Sequence, residues 1–381
     1  MKIGIFTNNY LPNPYGVTRS IETFRRELEK RGHTVFIFAP RWKGYEDENP
    51  RVFRYPSIDV EIKFRFPLAI SYSWKMRKIL KNLELDVIHA QHPNLLGSVA
   101  MKWAKRKKIP LIFTWHTLYD QYTNFVPFIP SKIAANYIIK KAVKFANASD
   151  AVIVPTDSII PILRKWGVVN KNIFPIATGV LEEEFANADR NKIRKKYAIG
   201  DDETLLFMVS RLTSEKNVEF VFESLKNILK KENAKFIVVS DGYLKPKLQE
   251  FCQQEGIGEK VIFCGEVERE EIKNYYASAD IFVYSSKSET QGMIITEAMY
   301  MGLPIVALNA TGINSLVLNN GNGFLVSEKE DEFEEAVLKL ISDKDLQKKF
   351  GETSSKIARM KFTASVCGEK MVEVYKKYLN H

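Results

Sequence analysis

Three observations predict an α/β chain built on two doubly wound parallel sheets. Short, nearly continuous apolar runs recur along the chain with helical patterns between them, as parallel strands covered on both faces require. The alternation stops near residue 180 and starts over near residue 204. At 381 residues the chain is long enough for two cores.

In the first half the strands are read as Lys2–Thr7, Thr34–Ala39, Asp86–Ala90, Leu111–Trp115 and Ala151–Pro155. Helical patterns over Thr18–Arg31, closed by Gly32, and Asn94–Lys107 separate them. In the second half the strands are Thr204–Ser210, Lys235–Ser240, Val261–Cys264, Ile281–Tyr284 and Pro304–Ala307, with helices over Val218–Lys230, Lys245–Gly256, Arg269–Ser278 and Gly292–Met301. From Asp331 onward the chain reads as helical and charged, without a strand. The boundary falls near Thr178-Gly-Val-Leu-Glu-Glu-Glu184, which gives domains over 1–178 and 179–360 and a terminal helix over 361–381. Two Rossmann-like domains place a cleft between their strand C-terminal ends, where ligands of this fold bind.

Composition sets the broad class. The chain is 45% hydrophobic and 27% charged, ordinary for a soluble globular protein. Three cysteines (Cys252, Cys264, Cys367) are too few and too scattered for a disulfide or zinc framework. The first residues turn polar too soon for a signal peptide, and no apolar run approaches a membrane span, so a cytoplasmic protein is expected. Charge is uneven. Residues 1–180 hold 28 Lys+Arg against 13 Asp+Glu, and the remainder 28 against 33. A basic first half points to an anionic surface as partner, whether membrane, nucleic acid or polyphosphate.

The central stretch is Ser286-Lys-Ser-Glu-Thr-Gln-Gly-Met. It reads as strand, polar turn and helix N-terminus, with Gly292 at the turn. Such an N-terminus offers unpaired N–H groups and partial positive charge to a phosphate. Glu289 in the turn and Glu297 about a turn into the helix are suited to accepting hydrogen bonds from sugar hydroxyls. Together they point to a sugar nucleotide; the alternative is an ordinary strand–turn–helix with solvated glutamates. Arg211 and Lys216 follow the first strand of the second domain, where two cations can neutralise a leaving diphosphate without a metal, or else simply cap a helix. Asp241 in Val239-Ser-Asp-Gly242 either reaches the ligand or shapes its turn. Gly16, in Tyr10-Leu-Pro-Asn-Pro-Tyr-Gly, would let a phosphate or sugar approach the first helix. This is no GxGxxG fingerprint, and no acidic residue closes the second strand, which disfavours a nicotinamide dehydrogenase.

His116 also stands at a strand end and could bond a hydroxyl or a developing charge, though a lone histidine is more often structural. The stretch from Tyr119 through Tyr122, Phe125 and Phe128 to Pro130 is aromatic and proline-rich. It leads into a helix from Ser131 to about Asn147, with Lys132, Lys140, Lys141 and Lys144 on one side and Ala134, Ile138, Ile139, Ala142 and Phe145 on the other. That pattern fits a helix lying on an anionic bilayer and equally a packed helix with its lysines in water. The Lys63–Lys81 segment and the lysines and arginine from Lys102 to Lys108 add basic charge. The serine-hydrolase elbow, the P-loop and the HExxH zinc motif are all missing.

Taken together, these motifs resemble the retaining GT-B glycosyltransferases of glycosyltransferase family 4, over nearly the whole chain. The most specific part is Glu289-x7-Glu297 with Arg211 and Lys216 upstream; Gly16, His116 and the Thr178-Gly-Val linker also match. The likeness extends to bacterial 1,2-diacylglycerol 3-glucosyltransferases in Glu289-Thr-Gln-Gly-Met, in His116-Thr-Leu-Tyr119 with Tyr122 and Pro127, and in Ser149-Asp-Ala-Val-Ile-Val-Pro-Thr156. The loop Pro14-Tyr-Gly departs from the subgroup, which often has asparagine before the glycine. The resemblance implies a GT-B fold whose two Rossmann-like domains face each other across a cleft, with the last helix crossing back to the first. It implies Glu297 on the nucleotide ribose, Glu289 on the sugar hydroxyls, and Arg211 and Lys216 on the diphosphate. Thr290, Gln291, Gly292, Met293 and Ile294 would lie along sugar and phosphate, Val267 against the base, and His116 near the reacting carbon. UDP-glucose and the 3-hydroxyl of diacylglycerol are then the expected substrates, with no metal or other cofactor and no nucleic acid partner. The enzyme would sit peripherally at the inner face of the cell membrane. A soluble acceptor or another donor, and a non-enzymatic polyanion- or membrane-binding protein, are the alternatives.

Overall fold

The computed structural model describes residues 1–13, 16–61, 65–119 and 131–379. The chain forms two compact units, Met1–Gly179 with Ala364–His381, and Val180–Thr363.

The first unit contains β1 (Lys2–Phe6), β2 (Thr34–Pro40), β3 (Val52–Tyr55), β4 (Ser57–Glu61), β5 (Arg65–Ala69), β6 (Val87–Ala90), β7 (Leu111–Thr114), β8 (Ala151–Val154) and β9 (Ile173–Pro175). Seven of these make a parallel sheet in the order β3-β2-β1-β6-β7-β8-β9. β4 and β5 form a separate antiparallel pair. The second unit contains β10 (Thr204–Val209), β11 (Ala234–Val239), β12 (Val261–Gly265), β13 (Ile281–Tyr284), β14 (Ile305–Leu308) and β15 (Gly323–Val326), all parallel in the order β12-β11-β10-β13-β14-β15.

Side chains alternate across each pleat, so both faces need cover. In β10, Leu206 and Met208 join one apolar cluster and Leu205 and Phe207 the opposite one. Each sheet runs outward in two directions from its first strand, and the strand order reverses at β1/β6 and at β10/β13. Loops leaving the C-terminal ends of those neighbours diverge and leave a crevice, the place where open α/β sheets bind ligands.

The terminal helix Ala364–Leu379 belongs to the first unit. The Tyr375 hydroxyl lies 2.7 Å from Nδ1 of His89 inside that unit. Gly368 meets the helix Gly16–Lys30 so closely that a Cβ there would come within 2.9 Å of the Glu27 Cβ.

The structure adds β3, β9, β15 and the β4–β5 pair to the strands read from sequence. β3, β9 and β15 are short sheet edges, half covered, and so lack the continuous apolar runs that mark the central strands. The Lys63–Lys81 segment, read as basic charge alone, includes β5 and a helix over Trp74–Asn82 capped by Ser73.

The bilayer reading of the helix Ser131–Asn147 needs correction. Ala135, Ile139, Ala142, Phe145 and Ala146 are buried, and the last three pack into the first unit's core with Phe113 and Trp115. An apolar face spent on its own core cannot also enter a membrane. Lys140, Lys141 and Lys144 are exposed, with Lys141 4.6 Å from the Tyr137 ring. The Lys132 side chain, and Tyr122, Phe125 and Phe128, lie outside the described residues.

Candidate functional site

At the second unit's switch point, β13 delivers a fully buried apolar run to Ser285 and Ser286, also buried. The chain then turns through Glu289 to Gly292, whose φ of 77° is left-handed and favours glycine. The helix Met293–Tyr300 starts there with no side-chain cap from Gly292, the kind of N-terminus that suits an anion. The turn is supported from below by Gly312, where a Cβ would fall 2.6 Å from the Glu289 carbonyl oxygen.

The neighbouring loop, after β10, carries Arg211 and a 3-10 turn over Ser214–Lys216. The Ser285 hydroxyl faces the Lys216 and Asn217 carbonyls at 3.1 and 2.8 Å, which ties the two loops together. Lys216 thereby reaches Glu289. Its Nζ donates to Oε1 at 2.5 Å, and the Tyr284 hydroxyl donates to the same oxygen at 2.7 Å. The Lys216 and Glu289 side chains are only 15% and 16% exposed. Burial pushes the Glu289 carboxyl up, but the Lys216 charge and the hydrogen bonds from Lys216, Tyr284 and Ser286 outweigh it and hold it below the usual range. Glu289 is therefore a half-buried, ionised acceptor.

Glu297 lies on the buried side of the same helix. Arg269 Nη2 donates to its Oε1 at 2.7 Å and Nη1 to Oε2 at 3.3 Å; the Tyr276 hydroxyl donates to Oε2 at 3.0 Å. Arg269 is gripped on its other side by Glu184, at 2.9 Å, and sits 5.3 Å from the Phe185 ring. Burial opposes the arginine's charge, but the Glu297 carboxylate prevails and keeps it protonated.

The other donor-side residues are placed as follows. Arg211 pairs with Glu215 at 3.0 Å, both side chains more than 40% exposed. Exposed pairs contribute about 0–1 kcal/mol, too little to withhold Arg211 from a phosphate. Asp241 accepts from the Gly242 N–H at 2.8 Å and from Lys245 Nζ at 2.7 Å, so it shapes its own turn. Thr290, Met293 and Ile294 are half-buried and Gln291 is buried; Val267 packs on the core.

In the first unit, Gly16 opens its helix with nothing within 4 Å of an added Cβ. His116 follows β7, with Nε2 2.6 Å from Oε1 of buried Gln91. An amide oxygen only accepts, so Nε2 carries the proton. Burial drives His116 down to about 3, helped by His92 and His89, and it is neutral near pH 7. Burial also takes His89 to about 3 and His92 to about 4. His92 Nδ1 accepts from the Asn8 N–H at 3.1 Å. Asn8, Gln91, His92 and His116 thus line the ends of β1, β6 and β7. Tyr119 is half-buried, its ring 5.7 Å from that of Trp115. Among the described residues no group of three or more His, Cys, Asp or Glu is placed to hold a metal ion, and no helix is long and apolar enough to cross a membrane.

Sequence reading missed Arg269, Tyr276, Tyr284 and Glu184. The tyrosines look like core aromatics, and only the adjacency of Arg269 to Val267 could have drawn notice to it.

Two doubly wound units, the second with paired carboxylates and cations at its switch point, define a GT-B glycosyltransferase. The model for "Glycosyltransferase Family 4" matches residues 14–184 and that for "Glycosyl transferases group 1" matches 189–357. An alpha-monoglucosyldiacylglycerol synthase of Streptococcus pneumoniae is 33% identical over 340 residues, 87% of this chain and 76% of that one. A GDP-mannose-dependent alpha-mannosyltransferase of Corynebacterium glutamicum is 27% identical over 332 residues, 86% of this chain and 76% of that one. The crystal structure of Anabaena HepE with UDP and glucose superposes with a TM-score of 0.77 at 18% identity, over 99% of this chain and 100% of that one. The chain belongs to the GT-B glycosyltransferases that join a family 4 first half to a group 1 second half.

Proposed function

We propose that the protein transfers glucose from UDP-glucose to the 3-hydroxyl of diacylglycerol, with retention at the anomeric carbon, at an anionic membrane surface. The observation that carries the donor half is the Lys216–Glu289 pair beside a helix N-terminus. A phosphate acceptor site and a fixed hydroxyl acceptor then stand within one turn of chain. The name of the Streptococcus relative supports the lipid acceptor.

Arg211, Lys216 and the helix N-terminus would hold the diphosphate and stabilise the charge it gains on departure. Glu289 would take a sugar hydroxyl and Glu297 the ribose. No carboxylate is assigned as nucleophile. The acceptor oxygen would bond to the anomeric carbon on the face from which the phosphate leaves. The breaking bond's electron pair passes to the phosphate oxygen, which takes the acceptor's proton, giving UDP and glucosyl-diacylglycerol. His116, neutral and held by Gln91, would serve as a hydroxyl partner near the reacting carbon. The scheme needs no metal, because cations and backbone dipoles supply the charge.

For the membrane contact we propose a patch other than the helix Ser131–Asn147. Ile58 and Leu68, opposite each other on β4 and β5, are exposed, as are Ile70, Tyr72 and Trp74, the last at 73%. Arg77 lies 5.0 Å from the Trp74 ring, and Lys75 and Lys78 are exposed beside it. Interfacial aromatics with flanking cations suit an anionic bilayer, each cation adding about 1 kcal/mol near the surface.

The deciding experiment is transfer from radiolabelled UDP-glucose, with and without vesicles of diacylglycerol in anionic lipid. Labelled lipid formed only with vesicles is expected. Free glucose without labelled lipid would discard diacylglycerol, and label from GDP-mannose instead would discard the donor. Trp74→Ser with Tyr72→Ser should reduce vesicle sedimentation and spare UDP binding.

A further inference from the structure

We propose that Tyr284 is a positioning residue for the donor sugar: its hydroxyl keeps Glu289 oriented when the donor's diphosphate engages Lys216. The inference rests on the reading above, in which Glu289 accepts from a sugar hydroxyl.

Two donors meet on one oxygen of Glu289, and they differ in how easily they can leave. Lys216 is a point charge on a flexible stem, carried by a short 3-10 turn. The reading assigns the same ammonium to the diphosphate, which carries more negative charge than a single carboxylate and therefore competes for it. Tyr284 cannot follow. It is the last residue of β13, 2% exposed, and its ring stacks on Phe282 with centroids 6.2 Å apart. Burial and the neighbouring Glu289 raise its hydroxyl well above the usual tyrosine range, so it stays a donor at any working pH. The Ser286 hydroxyl is a further hydrogen-bond donor to Glu289, from the loop beyond the strand.

Tyr284 is thus an anchor on Oε1 that persists as Lys216 exchanges partners. With Oε1 tied to the strand, Oε2 is presented in one direction. A fixed acceptor discriminates between hydroxyl configurations far better than one free to rotate. The effect should fall on the sugar and not on the nucleotide.

The test is Tyr284→Phe, which removes one oxygen and leaves the ring to fill its site. Calorimetry with UDP should give a Kd within about twofold of the parent, because the nucleotide contacts are untouched. The kcat/KM for UDP-glucose should fall about tenfold, as expected for one charge-assisted hydrogen bond. Preference for UDP-glucose over UDP-galactose should narrow. Equal losses for UDP and UDP-glucose would show a merely structural role and overturn the inference. So would kinetics identical to the parent while Glu289→Ala abolishes transfer. If Glu289→Ala itself leaves kcat/KM unchanged, or the parent does not turn over UDP-glucose, the donor reading fails instead, and the inference with it.

Discussion

Glu289 and Glu297 stand eight residues apart on one strand–turn–helix, both largely buried and both paired with a cation and a tyrosine. Their cations are held differently. Lys216 is a point charge on a flexible stem, paired with Glu289. Arg269 is a planar fork clamped between Glu297 and Glu184 over the Phe185 ring. On the proposed reading the first pair exchanges with an incoming anion, whereas the second holds its cation between two carboxylates. Similar sequence surroundings therefore yield one centre suited to chemistry and one suited to a fixed contact.

The largest expected effect comes from breaking the exchangeable centre. Lys216→Ala should lower kcat/KM by about 10²–10³-fold, as loss of one transition-state charge donor does. It should also move the acid limb. In the parent, the Glu289 carboxyl is held below its unfolded value of about 4.5, so its stabilising charge is present above that pH and lost as pH falls through the folded value. Without Lys216 the push from burial meets less opposition, and activity should fall away at a higher pH. A pH profile unchanged in shape would contradict the pairing.

Next is the Arg269 network. Arg269→Met should cost about 3 kcal/mol, because it leaves a buried carboxylate without its cation. The double variant Arg269→Met with Glu297→Met should recover part of that loss in urea denaturation. If the two losses simply add, the network is not coupled. Glu297→Ala should raise the donor KM and leave the fold intact, whereas unchanged kinetics would remove its ribose role.

A pH-dependent effect separates the two units. All the described histidines lie in the first unit. His89, His92 and His116 are held to about 3, 4 and 3, so the unfolded chain binds protons that the folded one refuses. Stability from these groups is full above about pH 6.5 and declines as pH falls towards 4. Hydrogen exchange at pH 5.5 against 7.5, corrected for intrinsic rates, should show peptides of the first unit losing more protection. The smallest effect is at Arg211: Glu215→Gln should change stability by less than about 0.5 kcal/mol.

The two-sheet plan was legible because buried parallel strands write themselves as apolar runs, and Gly292 because a left-handed turn favours glycine. Glu289, Glu297, Arg211 and Lys216 were legible from type and spacing. Short edge strands were not, since half-covered chain has no strict pattern. The basic helix over Ser131–Asn147 was ambiguous for a related reason: an amphipathic pattern states that one face is apolar, not what covers it.

By itself, then, the sequence determined the central strands and the helices between them, the turn at Gly292, and which charged residues follow strand ends. Those features depend on interactions within a few residues. Only the tertiary structure decided that Lys216 meets Glu289 across 73 residues, that Arg269 meets Glu297 across 28, and that a core-like tyrosine points its hydroxyl at Glu289. Such pairings follow from strand order and from which loops it brings side by side, and strand order is settled by packing the whole sheet rather than by any local stretch of chain.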